Sequence, residues 1–201
     1  MSKKIAEALV KAKEVVAKLE AELAQERISL SSVSRGETFK VGEHVFIKLK
    51  EESGSAYCVL KGLLPSERKF DANSNNWAKS ELRKYLNSEF LKELENEVSA
   101  KNICEFEIDL TSLDGLKDYD KCIDKVSLMT YDLYKQNRDI LEPLGEWFWL
   151  CTPFSTPTAD YSHAVCIVRS DGTVGIRNCS YVYGVRPFCI FQSDILVSCE
   201  D

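Results

Sequence analysis

Ala164-Val165-Cys166-Ile167-Val168-Arg169-Ser170-Asp171-Gly172-Thr173-Val174-Gly175-Ile176-Arg177-Asn178 is the stretch that sets the fold class. Two runs rich in β-branched residues flank Asp171-Gly172, a dipeptide suited to the type I′ turn of a β-hairpin. With Asp171-Gly172 as a two-residue loop, Ser170 pairs with Thr173, Cys166 lies opposite Arg177, and Val165 opposite Asn178. Val165, Ile167, Val174 and Ile176 then share the face expected to pack on the core. Cys166, Val168, Gly175 and Arg177 share the other. Strand signals continue on both sides: residues 147–151 read as a strand, 155–162 as a loop broken by Pro157, and 185–191 as a closing strand. Pro187 marks that last strand as an edge or a bulge.

Helix and strand alternate toward the N-terminus. Residues 41–49 and 57–60 read as two strands joined by the polar turn Glu51-Glu52-Ser53-Gly54-Ser55. Asn73-Ser74-Asn75-Asn76 supplies N-cap candidates for an amphipathic helix in which Ala78, Leu82, Leu86, Phe90, Leu94 and Val98 recur every fourth residue. Cys104, Phe106, Ile108 and Leu110 alternate with acidic residues, the pattern of a half-exposed strand. Thr130 caps a short helix running to about residue 139. The class expected is α+β, with mixed antiparallel strands and two helices.

Residues 3–27 form a different kind of segment. Ile5, Leu9, Ala12, Val16, Leu19 and Leu23 recur at 4-3-4-3-4, the seam of a coiled coil, with Glu and Lys on the other faces. Three heptads make a marginal helix alone, so the seam must self-associate, dock on a carrier, or pack on its own domain. Three divisions follow: a helix over 1–29, a linker over 30–37 and a globular domain over 38–201.

The net charge of −6 and the lack of a basic block argue against nucleic acid and anionic membrane surfaces. No apolar run reaches the ~18 residues of a membrane-spanning helix. Met1-Ser2-Lys3-Lys4 leads into a charged segment, not a signal peptide, so cytoplasmic synthesis is expected. The eight cysteines include no Cys-x-x-Cys pair, and His44 and His163 are the only histidines. Neither a zinc site nor any cofactor is expected, and free, buried thiols are. Asp109, Asp114, Asp118, Asp120 and Asp124 fail the calcium-loop register, with Leu110 first and Lys121 twelfth if Gly115 is the loop glycine. They read as a solvated acidic loop.

Lys and Glu, 38 residues in all, are absent between Glu146 and Glu200, where about ten would fall at the average rate. A buried β-rich segment avoids both types. So does a recognition surface, and the polar and aromatic set Asp160, Tyr161, Ser162, His163, Arg177, Asn178, Ser180, Tyr181 and Tyr183 has the composition of one. Tyr181 and Tyr183, two apart, would project the same way from an extended chain. These nine are the candidate ligand-binding residues. Catalytic motifs are missing, although Cys151, Cys166 or Cys179 with His163 leaves a nucleophile–base pairing open.

Three ordered blocks carry a resemblance: Asn76-Trp77-Ala78-Lys79-Ser80-Glu81-Leu82-Arg83-Lys84-Tyr85-Leu86-Asn87, Trp149-Leu150-Cys151-Thr152-Pro153, and Gly184-Val185-Arg186-Pro187-Phe188. Together they resemble a bacterial and phage domain family, DUF6273, over about 38–198, with Cys151 where many members have Arg. Domains of this kind resemble the C-type-lectin-like and formylglycine-generating-enzyme folds, which also host the variable proteins of diversity-generating retroelements. There, adenines of Asn-type codons are randomised, which never yields Lys, Glu, Gln, Met or Trp. Residues 155–183 contain none of the five. Gly184 to Phe191 would be the fixed stretch that closes the variable region.

The resemblance implies a C-type-lectin-like domain without enzymatic activity, binding a protein or glycan on a cell or phage surface. It implies no calcium requirement, since the Glu-Pro-Asn, Gln-Pro-Asp and Trp-Asn-Asp signatures are missing. Trp147, Trp149, Arg186 and Phe188 fall to the scaffold. The N-terminal helix would oligomerise the protein or attach it to a carrier, such as a virion. Two alternatives stay open: an enzyme on the formylglycine-type scaffold, and a purely structural assembly module.

Overall fold

A computed structural model describes residue 5, residues 8–16 and residues 27–199. The chain is mixed α+β, with mostly antiparallel strands and a few short helices. In order, the strands are β1 (Arg27–Ser29), β2 (Thr38–Val41), β3 (His44–Glu52), β4 (Ser55–Leu60), β5 (Arg68–Lys69), β6 (Phe106–Asp109), β7 (Lys121–Asp124), β8 (Val126–Leu128), β9 (Phe148–Pro153), β10 (Ala164–Val168), β11 (Val174–Asn178), β12 (Val182–Tyr183), β13 (Pro187–Gln192) and β14 (Leu196–Cys199). The largest sheet has the order β1-β14-β2-β3-β4-β13-β8, and a second has β11-β10-β9. Two-stranded pairs β5–β12 and β6–β7 complete the set.

Side-chain alternation divides the interior into two cores. Along β13, Cys189 and Phe191 enter one core while Phe188 and Ile190 enter the other. Strand β9 does the same, with Trp149 and Cys151 on one side and Phe148 and Leu150 on the other. Central strands are therefore apolar on both faces.

The hairpin at 164–178 forms, but in another register. Val165 pairs with Arg177, Cys166 with Ile176 and Val168 with Val174, one residue away from the expected alignment. Arg169 N–H donates to Thr173 O at 2.8 Å and Gly172 N–H to Arg169 O at 2.9 Å, so Ser170-Asp171-Gly172 is a three-residue loop. Only Gly172 in it has positive φ, +81°, the arrangement of a type I turn closed by a left-handed residue. A one-residue slip exchanges faces. Cys166, Val168, Val174 and Ile176 pack on the second core, while Val165 and Ile167 enter the first. The I′ turn falls instead at Ser53-Gly54, φ +51° and +76°, between the paired Glu52 and Ser55.

Pro187 is neither at an edge nor at a bulge. Strand β13 is internal, and Pro187 is its first residue, paired with Leu128 of β8 before the β4 pairing starts at Phe188–Val59. No ladder donor is needed there.

The every-fourth-residue stripe folds as a composite helix. A 3-10 turn over Trp77–Lys79 is followed by α-helix Glu81–Tyr85, π-turn Leu86–Phe90 and α-helix Leu91–Glu97. A spacing of four overshoots an α-turn by about 40° per step, and a wider π-turn absorbs that drift. Leu82, Leu86, Phe90 and Leu94 consequently all stay buried in the first core, each contributing about 2 kcal/mol. The short helix Tyr131–Gln136 starts at Thr130, whose hydroxyl accepts from Leu133 N–H, and inserts Tyr134 into the second core.

The expected linker is part of the domain. Arg27, placed by its sequence at the end of a helix, begins β1, which pairs with β14. Leu30 and Val33 are buried, and the buried Lys48 ammonium donates to Leu30 O at 2.9 Å while pairing with Glu51 at 2.6 Å. Residues 8–16 are helical, and Ile5, Leu9 and Val16 of the seam are each more than half exposed. Leu19 and Leu23 lie outside the described residues. No described helix is long and apolar enough to cross a membrane.

Candidate functional site: an aromatic face on a clamped loop

The block from Asn76 to Asn87 builds a frame. Asn76 Oδ1 accepts from Ala78 N–H and Ser80 Oγ from Arg83 N–H, capping the two helical starts. Trp77 Nε1 and Arg83 Nε donate to the two oxygens of Asp124 at 2.8 and 2.6 Å. Asp124 is thus no part of a solvated acidic loop: it is buried, and its carboxylate locks β7 to the helix. Asn87 holds the next residues, accepting from Lys125 and Val126 N–H and donating to Val126 O.

The other two blocks are also structural. Arg186, 1 % exposed, donates to Leu60 O and Lys61 O, and its guanidinium lies over the Phe148 ring. Burial without a carboxylate partner pulls its pKa down to about 10. Gly184 lets two backbones touch. A Cβ there would sit 2.5 Å from Leu63 and 3.0 Å from Trp147 O, where Gly184 exchanges hydrogen bonds with Trp147 and Trp149.

On this frame two arms of the candidate face meet. Asn178 pairs with Ala164, and Cys179 N–H donates to His163 O at 2.8 Å, which sets residues 160–163 beside 178–183. Asn75, fully buried, clamps the first arm. Its Nδ2 donates to Ser155 O and Ala164 O, both at 2.8 Å, and its N–H to Ser162 O, so one side chain closes the loop at both ends. Tyr119 OH donates to its Oδ1. Within the loop, Pro157–Ala159 is a 3-10 turn ending at Asp160 with φ +54°, and Thr158 N–H anchors to Asp118 Oδ2 at 2.9 Å. The Thr158 hydroxyl and N–H hold Asp118 below the usual carboxylate range.

Aromatic rings pave the face. Tyr161 packs edge-on against Phe154 (5.4 Å) and at a tilt against His163 (4.6 Å). Tyr183 packs against Trp149 (5.0 Å) and Trp147 (5.5 Å), with Tyr181 at 6.4 Å, and Arg177 lies over Trp147 at 4.5 Å. Tyr161 is 39 % and Tyr181 54 % exposed; Asp160 and His163 are exposed as well. Arg177, Ser162 and Tyr183 are half-buried. Asn178 and Ser180 serve the turn instead: Asn178 Oδ1 accepts from Ser180 N–H and Oγ. Trp149 and Phe188 are buried scaffold, whereas Trp147, half-buried, supports the face directly. Asn75, the residue that closes the loop, was read in the sequence only as a cap, since the two carbonyls its side chain binds lie 80 and more positions away.

The three candidate thiols, Cys151, Cys166 and Cys179, are poor nucleophiles. Burial pushes Cys166 to about 12 and raises Cys151 and Cys179, so none carries appreciable thiolate near neutral pH. No group of three or more His, Cys, Asp or Glu among the described residues is arranged to hold a metal ion. A concavity of about 560 Å³ lies elsewhere, over the second core between β6 and the short helix. It is floored by Tyr57, Phe106 and Phe188 and rimmed by Lys50, Asp109 and Asp132, with no Cys or His in its lining.

Frame and face together define an α+β domain that carries an aromatic surface on a clamped loop. Residues 53–132 match the family model described as "Domain of unknown function (DUF6273)". That span covers the Asn76–Asn87 block and Asp124, and ends before the candidate face. No curated protein and no solved structure matches the chain.

Proposed function

We propose that this protein is a non-enzymatic ligand-binding protein of C-type-lectin-like type, recognising a protein or glycan on a cell or phage surface. Its face is the loop at 155–163 together with residues 177–183. One observation carries the reading: Tyr161 and Tyr181 stand exposed on a base of packed rings tied down by buried backbone and amide bonds. Rigid tyrosines offer large contact area at little entropic cost. A soluble domain gains nothing in stability by leaving such rings open to water, so their exposure favours recognition over packing.

Diversification by a retroelement extends the proposal. Asp160, Tyr161, Ser162, His163, Arg177, Asn178, Ser180, Tyr181 and Tyr183 are all residue types that adenine randomisation of an Asn codon can produce. The N-terminal seam, exposed at Ile5, Leu9 and Val16, would join copies into an oligomer or attach them to a carrier such as a virion. Avidity would then strengthen a weak single site. The enzyme alternative gains no support from the raised thiols or from a groove lacking Cys and His.

Binding of the full chain to an array of bacterial surface proteins and glycans tests the reading. Tyr161→Ala with Tyr181→Ala should remove the array signal while leaving the unfolding midpoint unchanged; an unaltered signal refutes it. Diversification is tested in the genome. A near-copy of the segment encoding 150–191, beside a reverse transcriptase gene and differing only at template adenines, is the expected finding, and its absence removes that part of the proposal.

A further inference from the structure

The free edge of β11 carries two arginines, Arg169 and Arg177, neither of which forms an ion pair with a described carboxylate. Hydrogen-bonded pairs of the β10–β11 ladder fall at Arg169–Thr173 and His163–Cys179, which by alternation turns the N–H and C=O groups of Val174 and Ile176 outward. Arg169 Nη1 donates to Val174 O at 2.9 Å and Arg177 Nη1 to Ile176 O at 2.8 Å. With both outward carbonyls occupied, what remains along this edge is donors: the N–H groups of Val174 and Ile176 and the unspent guanidinium N–H groups. The strand is a central one for neither sheet, being last in the order β11-β10-β9.

Placement of Arg169 depends on Gly175. A Cβ at that position would lie 2.5 Å from Arg169 Nη2 and 2.7 Å from Cζ, so the absent side chain is what lets this guanidinium lie across the strand. Gly175 and Arg177 share a face of β11, so Arg169, lying over Gly175, is on the same face as Arg177. Their carbonyl anchors are two residues apart, about 6.6 Å along the strand. Arg177 is further held over Trp147. No described carboxylate forms an ion pair with either arginine. Asp171, close enough for Arg169 to help lower its pKa, gives Oδ1 to Thr173 N–H and Oγ1.

We propose that this edge binds an extended acidic peptide segment with carboxylates at alternate positions, one on each guanidinium. The spacing selects the ligand: side chains i and i+2 of an extended chain repeat at about the same 6.6 Å. In each arginine Nη1 is the nitrogen that donates to the strand carbonyl, so a two-point contact with a carboxylate would use Nε and Nη2. This inference rests on the reading of the 155–183 region as a binding face and names what its arginine end recognises.

Fluorescence anisotropy of a labelled peptide of alternating Glu and Val, its Gln counterpart and a glucuronate oligosaccharide tests it on the full chain. The Glu peptide should bind at least about tenfold tighter than the Gln peptide, and tighter in low salt than in high. Arg169→Gln and Arg177→Gln together should abolish the difference, and Arg177→Lys, which keeps charge but loses the fork, should fall between. Equal affinity for Glu and Gln peptides, no binding of the Glu peptide, or binding of the oligosaccharide alone overturns the proposal. Where a variant fails to fold, the Glu–Gln difference on the unmutated protein decides. An array signal that depends on Tyr161 and Tyr181 while the Glu peptide is ignored would defeat this inference and leave the binding reading standing.

Discussion

Replacing Asp124 with Asn should destabilise the domain by about 3 kcal/mol. In the native protein the carboxylate accepts Trp77 Nε1 on one oxygen and Arg83 on the other, and its side chain is fully buried. An asparagine of the same shape can keep only one of these contacts, because its Nδ2 must then face a donor. If Oδ1 stays on Arg83, the buried indole N–H meets an amide N–H, at a cost of about 1–3 kcal/mol. The charge-assisted bond to Arg83 also weakens. Removing a partner from a buried ion pair costs about 3–5 kcal/mol, but Arg83 is 27 % exposed and keeps Ala78 O and Ile123 O, which places the loss at the lower end. Urea unfolding followed by tryptophan fluorescence reads the loss, and about 3 kcal/mol corresponds to a fall in Tm of roughly 6–12 °C. Adding Trp77→Phe removes the orphaned N–H, so the double variant should lose less than the sum of the two single ones. A single-variant loss below about 1 kcal/mol, or strict additivity, would refute the assignment of Asp124 as the lock between β7 and the helix.

Asn75→Ala should cost about 2 kcal/mol and raise amide exchange across 156–163, because the two carbonyls that close the loop lose their donor; unchanged exchange there would count against the clamp. Gly172→Ala should cost about 1–2 kcal/mol in chemical denaturation, since φ is +81° and a Cβ would press on the Arg138 guanidinium. Under native conditions a thiol reagent should modify Cys199 first and leave Cys58, Cys151, Cys166, Cys179 and Cys189 untouched until urea unfolds the chain, as their burial requires. Lowering the pH should free the Thr158–Asp118 anchor: a carboxylate whose folded pKa is depressed holds its contact above about pH 4 and loses it as the pH falls through that lowered value. Exchange at Thr158 N–H against pH follows it.

Much of the domain is written locally. Thr130 is a helix starter because its hydroxyl can reach the N–H three residues on, and it does so, and Asn76, at the end of the cap-rich run, accepts from Ala78 N–H. The alternation from Cys104 to Leu110 survives as β6, since one face of that ribbon meets water. Resemblance to DUF6273 was legible in Asn76–Asn87, a contiguous block whose polar side chains bond to one another and to residues 123–126. The polar and aromatic composition of the loop and strand that bear the candidate face was readable in the sequence. Aromatics fill the core as well, as Phe39, Phe46, Phe70, Trp77 and Trp149 do, so composition alone did not separate face from core.

Tertiary structure decided what depended on distant partners. Strand β10 is apolar on both faces, so its pattern could not say which residues belong to which core, and one extra residue in the turn settled the matter. Asp124 looked like its four solvated neighbours until Trp77 and Arg83, more than 40 positions away, were folded against it. Arg27–Ser29 joined the sheet because β1 found β14. The expected linker at 30–37 became part of the domain because Leu30 and Val33 are buried and the Lys48 ammonium donates to Leu30 O. Sequence alone thus determined the 164–178 hairpin, the helix after Asn76, the strand at 106–109 and the composition of the candidate face, each fixed by neighbours within a few residues. Register, burial of charge and the clamp on the loop came only with the tertiary structure, because each is a choice among partners that the chain brings together only on folding.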